Sequence, residues 1–131
     1  MYTFAAKTWA LTVPDEVTVE SQRDYVSIRF PDQHEARLTV LHGDAHVTDE
    51  TIEAYARPFY PEMQERVDLK ANGWQGFVFW HGDKKDRGTT QRGYFMKGRY
   101  LLIMVLRREN GIAADDQRYI IDILNNLKLK E

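Results

Sequence analysis

The sequence predicts a single α+β domain organised around an apolar central strand. Residues Tyr100–Leu106 (Y-L-L-I-M-V-L) form an uninterrupted apolar run, several earlier segments alternate polar and apolar residues, and two segments carry helical spacing. A strand with one exposed face would alternate, and seven residues are too few to span a membrane. We therefore expect both faces of this strand to be covered by protein.

The composition is that of one globular domain, which we assign to residues 1–131. Hydrophobic residues make up 43% and charged residues 29% of the chain, far from the composition of disordered chains. The net charge of −2 gives no general reason to expect nucleic acid or an anionic membrane as a partner. The absence of cysteine excludes disulfides, zinc thiolates and cysteine nucleophiles. The first residues carry no leader pattern, so we expect a cytoplasmic protein.

The first half of the chain predicts strands joined into an antiparallel meander. Trp9–Val13 alternates apolar and smaller or polar residues and ends at Pro14. Asp24–Phe30 and Ala36–Leu41 also alternate with a period of two, and Pro31 marks the turn between them.

A helix is predicted after Thr48, because the threonine hydroxyl can accept a hydrogen bond from a free amide of the first turn. The acidic residues that follow Thr48 favour the positive end of the helix dipole. Pro58 and Pro61 each remove a backbone donor, so we expect the helix to break between residues 57 and 61. The break is either a kink that lets the helix follow the sheet or a functional hinge.

The segment Leu69–His81 predicts a strand that is apolar on both sides. Asp83–Gly88 is a charged loop, and Gln91–Lys97 leads back towards the central strand through Tyr94 and Phe95. In the strand predicted at Leu69–His81, side chains divide between two faces, with Trp74, Val78 and Trp80 on one and Phe77 and Phe79 on the other.

A second helix is predicted at Ala114–Leu127, with Asp115 as its N-cap. Asn125 and Asn126 predict a left-handed end, after which Leu127–Leu129 adds a short strand. The expected buried stripe of this helix comprises Ile120, Ile121, Leu124 and Leu127.

Segments along nearly the whole chain carry a family resemblance. They are the opening W-A-L-T-V-P-D-E-V, the meander, the helix after Thr48, the aromatic strands, and G-R-Y-L-L-I-M-V-L followed by a helix that reaches L-N-N-L-K-L. Together they resemble the PsbP-like fold superfamily. The resemblance implies a curved antiparallel sheet of about six or seven strands with helices on both faces, an α/β/α sandwich. That superfamily includes a photosystem II subunit, a Ran-binding import factor and bacterial effector chaperones, so the resemblance implies binding rather than catalysis.

Three histidines form a candidate metal site. His42-Gly43-Asp44 and His81-Gly82-Asp83 both end apolar strands, and His46 follows four residues after His42. Neighbouring strand ends that brought these imidazoles and carboxylates together could hold a first-row metal. The alternative is that H-G-D is ordinary turn chemistry at the end of a strand. We expect no metal and no cofactor, and a small hydrolase or metal-dependent enzyme using these histidines is the second hypothesis.

Other catalytic signatures give little support for an enzyme. Ser21 and Ser27 are the only serines, and neither lies in a G-x-S-x-G motif. The sequence contains no P-loop, no G-x-G-x-x-G and no H-E-x-x-H. We therefore assign no catalytic residue.

Charge is distributed unevenly along the chain. Thirteen acidic and five basic residues give segment 15–68 a balance of −8, whereas segment 83–108 has eight basic and two acidic residues and a balance of +6. We hypothesise that Lys84, Lys85, Arg87 and Arg92 form a basic rim that steers an acidic partner. The alternative is a solvated hairpin whose lysines protect a sheet edge.

The aromatic strands supply the other half of the candidate site. Trp74, Phe77, Phe79 and Tyr94 either fill the core or line an apolar groove that could hold a helix or hydrophobic segment. G-W-Q-G-F-V-F-W has some likeness to an RNA-recognition strand, but Gln75 breaks the spacing and the order of elements is not βαββαβ. We expect no nucleic-acid binding.

The leading hypothesis is a non-enzymatic interaction module, a chaperone or adaptor of bacterial type. It binds a protein partner through the aromatic sheet face and the basic rim. We expect a monomer or weak homodimer that does not insert into a membrane.

Overall fold

A computed structural model describes residues 1–31, 34–81, 90–107 and 116–130. Within these ranges the chain forms ten strands in two antiparallel sheets, two α-helices and one 3₁₀ helix. The strands are β1 (Tyr2–Ala5), β2 (Trp9–Val13), β3 (Thr18–Ser21), β4 (Val26–Arg29), β5 (Glu35–His42), β6 (Met63–Ala71), β7 (Trp74–His81), β8 (Thr90–Lys97), β9 (Tyr100–Arg107) and β10 (Leu127–Leu129). The α-helices are α1 (Asp49–Ala56) and α2 (Asp116–Asn125), and the 3₁₀ helix is Arg57–Glu62.

The larger sheet has seven strands in the order β3-β4-β5-β9-β8-β7-β6. The apolar strand β9 is fourth of these seven and pairs along its whole length with β5 and with β8. Leu101, Leu102, Met104 and Leu106 are each at most 3% exposed. The prediction of a central strand is confirmed, and the face with Leu102, Met104 and Leu106 is fully buried, whereas Ile103 and Val105 on the other face are half-buried.

Alternate side chains of the central strands enter two separate core clusters. In β7 the side chains divide as the sequence predicts, because Trp74 and Val78 belong to one cluster and Phe77 and Phe79 to the other. The larger cluster includes Phe95, Leu102, Met104 and Leu106 together with Ile120, Ile123 and Leu124 of α2. The smaller cluster includes Tyr94 and Leu101 together with Ile52 and Ala56 of α1.

The smaller sheet has three strands in the order β1-β2-β10. The prediction that Trp9–Val13 opens a meander in the main sheet is wrong, because β2 pairs with β1 and β10 and only β3, β4 and β5 form the meander. Trp9, Leu11 and Val13 still point into the larger core cluster. The alternation therefore predicted the buried face of β2 correctly but not the sheet to which it belongs.

Helix α1 begins as the sequence predicts. Thr48 has extended backbone angles, and its Oγ1 accepts a hydrogen bond from the amide of Thr51 at 3.4 Å. The α-helix ends at Ala56, where the 3₁₀ helix containing Pro58 and Pro61 begins. This change confirms the predicted break, because proline cannot donate the i to i−4 bond that would continue an α-helix.

The predicted single strand Leu69–His81 is in fact a hairpin. Asn72 and Gly73 separate β6 from β7 with φ values of 54° and 82°. Two successive positive φ values are typical of the type I′ turn, which matches the twist of the flanking strands. Strand β6 also carries a bulge between Gln64 and Val67, where Glu65 has a φ of 54°.

The structure of α2 differs from two predictions, one for its buried stripe and one for its C-terminal end. Ile123 is buried at 4% exposure and Ile121 is only half-buried, so the buried stripe includes Ile123 in place of the predicted Ile121. Asn125 and Asn126 are not left-handed; instead Asn126 Nδ2 donates to the carbonyl oxygen of Asp122 at 2.8 Å. The predicted N-cap Asp115 lies outside the described residues. The predicted final strand is present as β10.

Asn72 ties the hairpin to α2 and β10. Its Nδ2 donates to the carbonyl oxygens of Leu124 at 3.0 Å and Leu127 at 3.3 Å.

Replacing Asn72 with glycine keeps the positive φ accessible but removes both bonds, so we expect a loss of about 1–3 kcal/mol in unfolding free energy. Denaturation in urea measures this loss of unfolding free energy. The exposed Asn125→Ala is the control, with an expected change within about 0.5 kcal/mol. Equal stability of Asn72→Gly and the unmodified chain would contradict the role of Asn72.

Candidate functional site

Four arginines lie on one polar side of the larger sheet. Arg29 of β4, Arg37 of β5, Arg107 of β9 and Arg92 of β8 share this side with Glu35 of β5 and Glu20 of β3, and we call this group the arginine face. Directly paired residues of neighbouring strands point to the same side of a sheet. One cross-strand row contains Thr18, Arg29, Glu35, Arg107 and Thr90, and the next contains Glu20, Ser27, Arg37, Val105 and Arg92.

The period-two pattern of β4 and β5 explains why the arginines meet. Ile28 and Leu38 point into the larger core cluster, so the residues between them in sequence point to the opposite side. The antiparallel register then sets Arg29 opposite Glu35 and Arg37 opposite Ser27. The core pattern of two neighbouring strands thus places their charged residues side by side.

The arginine face is partly open to solvent. The side chain of Arg29 is 66% exposed and that of Arg37 is 37% exposed, whereas the Glu35 side chain is 18% exposed. Arg107 is also exposed. On this side of the sheet, α1 packs against β8 through Ile52 and Ala56, whose cluster contains no residue of β4 or β5. Within the described residues, the arginine face lies beside this helix rather than beneath it.

A single carboxylate holds two of the arginines in place. Arg37 Nε donates to Glu35 Oε1 at 2.7 Å, and Arg29 Nη2 lies 3.4 Å from Glu35 Oε2. Ser27 Oγ also donates to Glu35 Oε2 at 3.4 Å, and the Arg37 guanidinium lies 4.8 Å from the centre of the Tyr25 ring. The hydrogen bond to Glu35 raises the pKa of Arg37 above its ordinary value. Among the described residues, the four arginines of this face outnumber the two carboxylates of Glu20 and Glu35, which leaves excess positive charge.

Arg92, predicted as part of a basic rim, is half-buried on β8. Its Cζ lies 3.6 Å from the centre of the Phe59 ring, and its Nη1 donates to the hydroxyl of Tyr94 at 3.4 Å. Burial raises the pKa of Tyr94 above its ordinary value, and the bond from Arg92 opposes that shift. Arg92 therefore marks the border between the arginine face and the smaller core cluster.

The four aromatic residues predicted to line a groove are core residues. Trp74 and Phe79 are 0% exposed, and Phe77 and Tyr94 are 1% exposed. The prediction that they present an aromatic binding face is wrong for this structure, because a side chain with no exposed surface cannot contact a partner of the folded chain. The alternative given with that prediction, that they fill the core, describes them.

The other three residues of the predicted basic rim lie outside the described residues. Lys84, Lys85 and Arg87 fall in segment 82–89, so their part of the hypothesis stays a prediction.

The histidines do not converge. His42 is paired with Tyr100 at one end of β9, and its ring stacks on the Tyr100 ring at 4.5 Å. His81 is the last residue of β7, next to Trp80, and Trp80 is paired through Gln91 with the other end of β9. An eight-residue strand such as β9 is about 23 Å long, so the two backbones lie at opposite ends of the sheet. Across the described part of the chain, no three histidine or acidic side chains form a group that could hold a metal.

Strand β6 is an edge of the larger sheet, but its outer side is guarded by charge. Glu65, Arg66, Asp68 and Lys70 are exposed along it. Arg66 also binds Glu53 of α1 at 2.6 Å and lies 3.8 Å from the centre of the Phe77 ring. Charged side chains and a bulge are the usual protection of an edge strand against added strands. We therefore do not place the candidate site at β6.

Sequence reasoning missed Arg29, Arg37 and Arg107. It treated them as the solvated side of the meander or as strand boundaries, and it looked for basic charge in the loop after His81. A signal was present, because Arg29 and Arg37 occupy polar positions of consecutive alternating strands joined by a turn. Pairing those strands antiparallel would have shown that the arginines share one face.

Comparisons with known proteins show the fold alone. No protein-family model matches the sequence, and no curated protein matches it. One similar solved structure is a crystal structure from Bacteroides thetaiotaomicron VPI-5482 at 1.50 Å resolution, with a TM-score of 0.62 and 10% sequence identity. The match covers 94% of this chain and 45% of that one, so this chain spans less than half the length of its neighbour. Among the residues described, neither helix is long and apolar enough to cross a membrane. The chain therefore has an α+β fold with two antiparallel sheets, shared at low identity with this larger bacterial protein.

Proposed function

We propose that the protein is a non-enzymatic interaction module that binds an acidic segment of a partner protein on the arginine face. The observation that carries this proposal is that, among the described residues, four guanidinium groups outnumber the carboxylates of Glu20 and Glu35 on a partly open stretch of sheet, in a chain whose net charge is −2. Guanidinium groups form forked hydrogen bonds with carboxylates, which makes an arginine cluster a suitable site for aspartate and glutamate side chains.

The existing ion pairs prepare the arginine face for such a partner. Glu35 and Tyr25 fix the Arg37 side chain in one orientation, so less side-chain freedom is lost when a carboxylate binds. Arg29, at 66% exposure, keeps most of its surface free for contact. Opposite charges also raise the rate of association, an effect that weakens as salt is added.

The proposal agrees with a PsbP-like architecture, which we also propose. Its support is the seven-stranded antiparallel sheet and the two core clusters, one containing residues of α1 and the other residues of α2. In the proposed architecture a helix covers each face of the sheet, and the half of one face formed by β4 and β5 is left for a partner. The histidine-based enzyme is not proposed further, because His42 and His81 lie at opposite ends of the sheet.

Reversing the charge of the arginine face is the direct test. In the variant Arg29→Glu, Arg37→Glu and Arg107→Glu, we expect the proteins captured from a native lysate at low salt to be lost. For an isolated partner we expect the binding affinity to fall by about tenfold or more. Pull-down followed by titration calorimetry measures both effects, and circular dichroism checks that the variant is folded.

A matched variant distinguishes the effect of charge on the arginine face from the effect of the overall charge of the chain. Lys7→Glu, Lys70→Glu and Lys128→Glu reverse the same number of charges at exposed positions away from the arginine face. We expect this variant to keep the capture of the unmodified chain. Equal loss in both variants, or unchanged capture in both, would refute the arginine face as the binding site.

A further inference from the structure

A second surface feature lies on the opposite side of the larger sheet from the arginine face. It is a cavity of about 370 Å³ between β2, β4 and α2. Cavities that bind small molecules measure about 300–1,000 Å³ and have mostly apolar walls. Its apolar walls include Val13, Val17, Ile28, Phe30, Tyr119 and Ile123.

The walls of the cavity are held by specific contacts. The amide of Thr12 donates to the carbonyl oxygen of Asn126 at 3.2 Å, which joins β2 to the end of α2. The Tyr119 ring lies 4.8 Å from the Phe30 ring and stacks on the His34 ring at 4.5 Å. The Tyr2 hydroxyl donates to the carbonyl oxygen of Val17. Because these contacts fix all three walls, a ligand loses little free energy in shaping the cavity.

The charge of the lining points to one class of ligand. Glu16 and Asp122 are the charged residues among those that line the cavity, both are acidic, and both are exposed at its surface. The walls also contain the aromatic rings of Phe30 and Tyr119. Carboxylates attract a cation, and the rings add apolar surface for the body of the ligand.

We propose that this cavity binds a small amphipathic cation, with its apolar body against Val13, Ile28 and Ile123 and its ammonium group at the surface, attracted by Glu16 and Asp122. The site is independent of the arginine face, because Ile28 and Arg29 are neighbours on β4 that point to opposite sides of the sheet. A ligand there leaves the arginine face free for a protein partner.

The test uses three probes that share one alkyl chain: octylammonium, 1-octanol and octanoate. The probes are titrated at pH 7 and constant ionic strength, and binding is followed by the amide shifts of Val13, Phe30 and Ile123 in nuclear magnetic resonance spectra. We expect octylammonium to bind about fivefold more tightly than 1-octanol, and octanoate to bind more weakly than either. Equal binding of the three probes, or shifts confined to residues outside the cavity, would overturn the proposal.

Two variants test the role of charge without changing the apolar walls. Glu16→Gln with Asp122→Asn should remove the preference for octylammonium over 1-octanol, and Glu16→Lys with Asp122→Lys should transfer it to octanoate. The control is Glu20→Gln with Asp24→Asn, which neutralises two exposed carboxylates that do not line the cavity. Loss of the preference in the control as well would show general electrostatic attraction and overturn the site.

Discussion

Replacement of Gly76 with alanine is expected to lower the free energy of unfolding by about 3 kcal/mol or more. Gly76 lies in β7 directly opposite Phe95 of β8. A Cβ atom at position 76 would lie 2.8 Å from Phe95 Cα and closer still to the carbonyl oxygen of Tyr94. These are backbone atoms of a paired strand, so they cannot move aside without separating β7 from β8. The sheet therefore requires glycine here for space.

Denaturation in urea with two spectroscopic probes measures the effect of Gly76→Ala. Gly43→Ala is the matched control, because the nearest atom to its added Cβ is the carbonyl oxygen of Ala45 at 4.0 Å. We expect the control to change stability by no more than about 0.5 kcal/mol. Similar stability of the two variants would show that β7 and β8 separate more easily than their register implies.

The local pattern of the sequence predicted much of the fold. Alternation predicted which residues of β2 and β5 are buried, and the apolar run predicted the central position of β9. In β4 it predicted the buried Val26 and Ile28, but Ser27 between them is buried as well. Both predictions succeed because a strand must bury its apolar side whatever its neighbours are. The sheet to which β2 belongs depends on its pairing with β10, more than a hundred residues later, and a local pattern carries no information about that partner.

One error was avoidable from the sequence. The Asn72-Gly73 pair between two extended segments is a strong signal for a two-residue hairpin, because both residues tolerate positive φ. Reading Leu69–His81 as one strand ignored that signal and hid most of β6. The bulge at Glu65 could not be predicted in the same way, since glutamate seldom adopts a positive φ and gives no local sign of it.

The candidate site was predicted less well than the fold. Basic charge was expected in a loop, whereas the described arginines lie on strands and meet through antiparallel register. Charge along the chain also misled the prediction, because Arg29 and Arg37 belong to a segment whose overall balance is acidic. The partition of charge in a folded sheet follows the two sides of its strands rather than the order of residues.

Replacement of Phe79 with alanine separates the role of the aromatic residues from that of the arginine face. Phe79 is 0% exposed, and its ring lies 6.1 Å from those of Phe77 and Tyr94. Removing a buried phenylalanine leaves a cavity and costs about 3–5 kcal/mol of unfolding free energy. Because the side chain has no contact with solvent, we expect the folded fraction of the variant to bind an acidic partner as the unmodified chain does.

Thermal denaturation and partner titration on the same sample measure both parts of this expectation. Tyr55→Ala is the control for stability, because Tyr55 is 45% exposed and its removal is expected to cost no more than about 0.5 kcal/mol. Charge reversal at Arg29, Arg37 and Arg107 should differ from Phe79→Ala by weakening the binding of the folded protein, and it should also lower stability because it removes the ion pairs to Glu35 and sets like charges opposite it. A stable Phe79→Ala variant that fails to bind would show that this ring reaches the partner, and it would return the binding site to the aromatic strands. A less stable variant with normal affinity would assign Phe79 to the core and binding to the surface beside it.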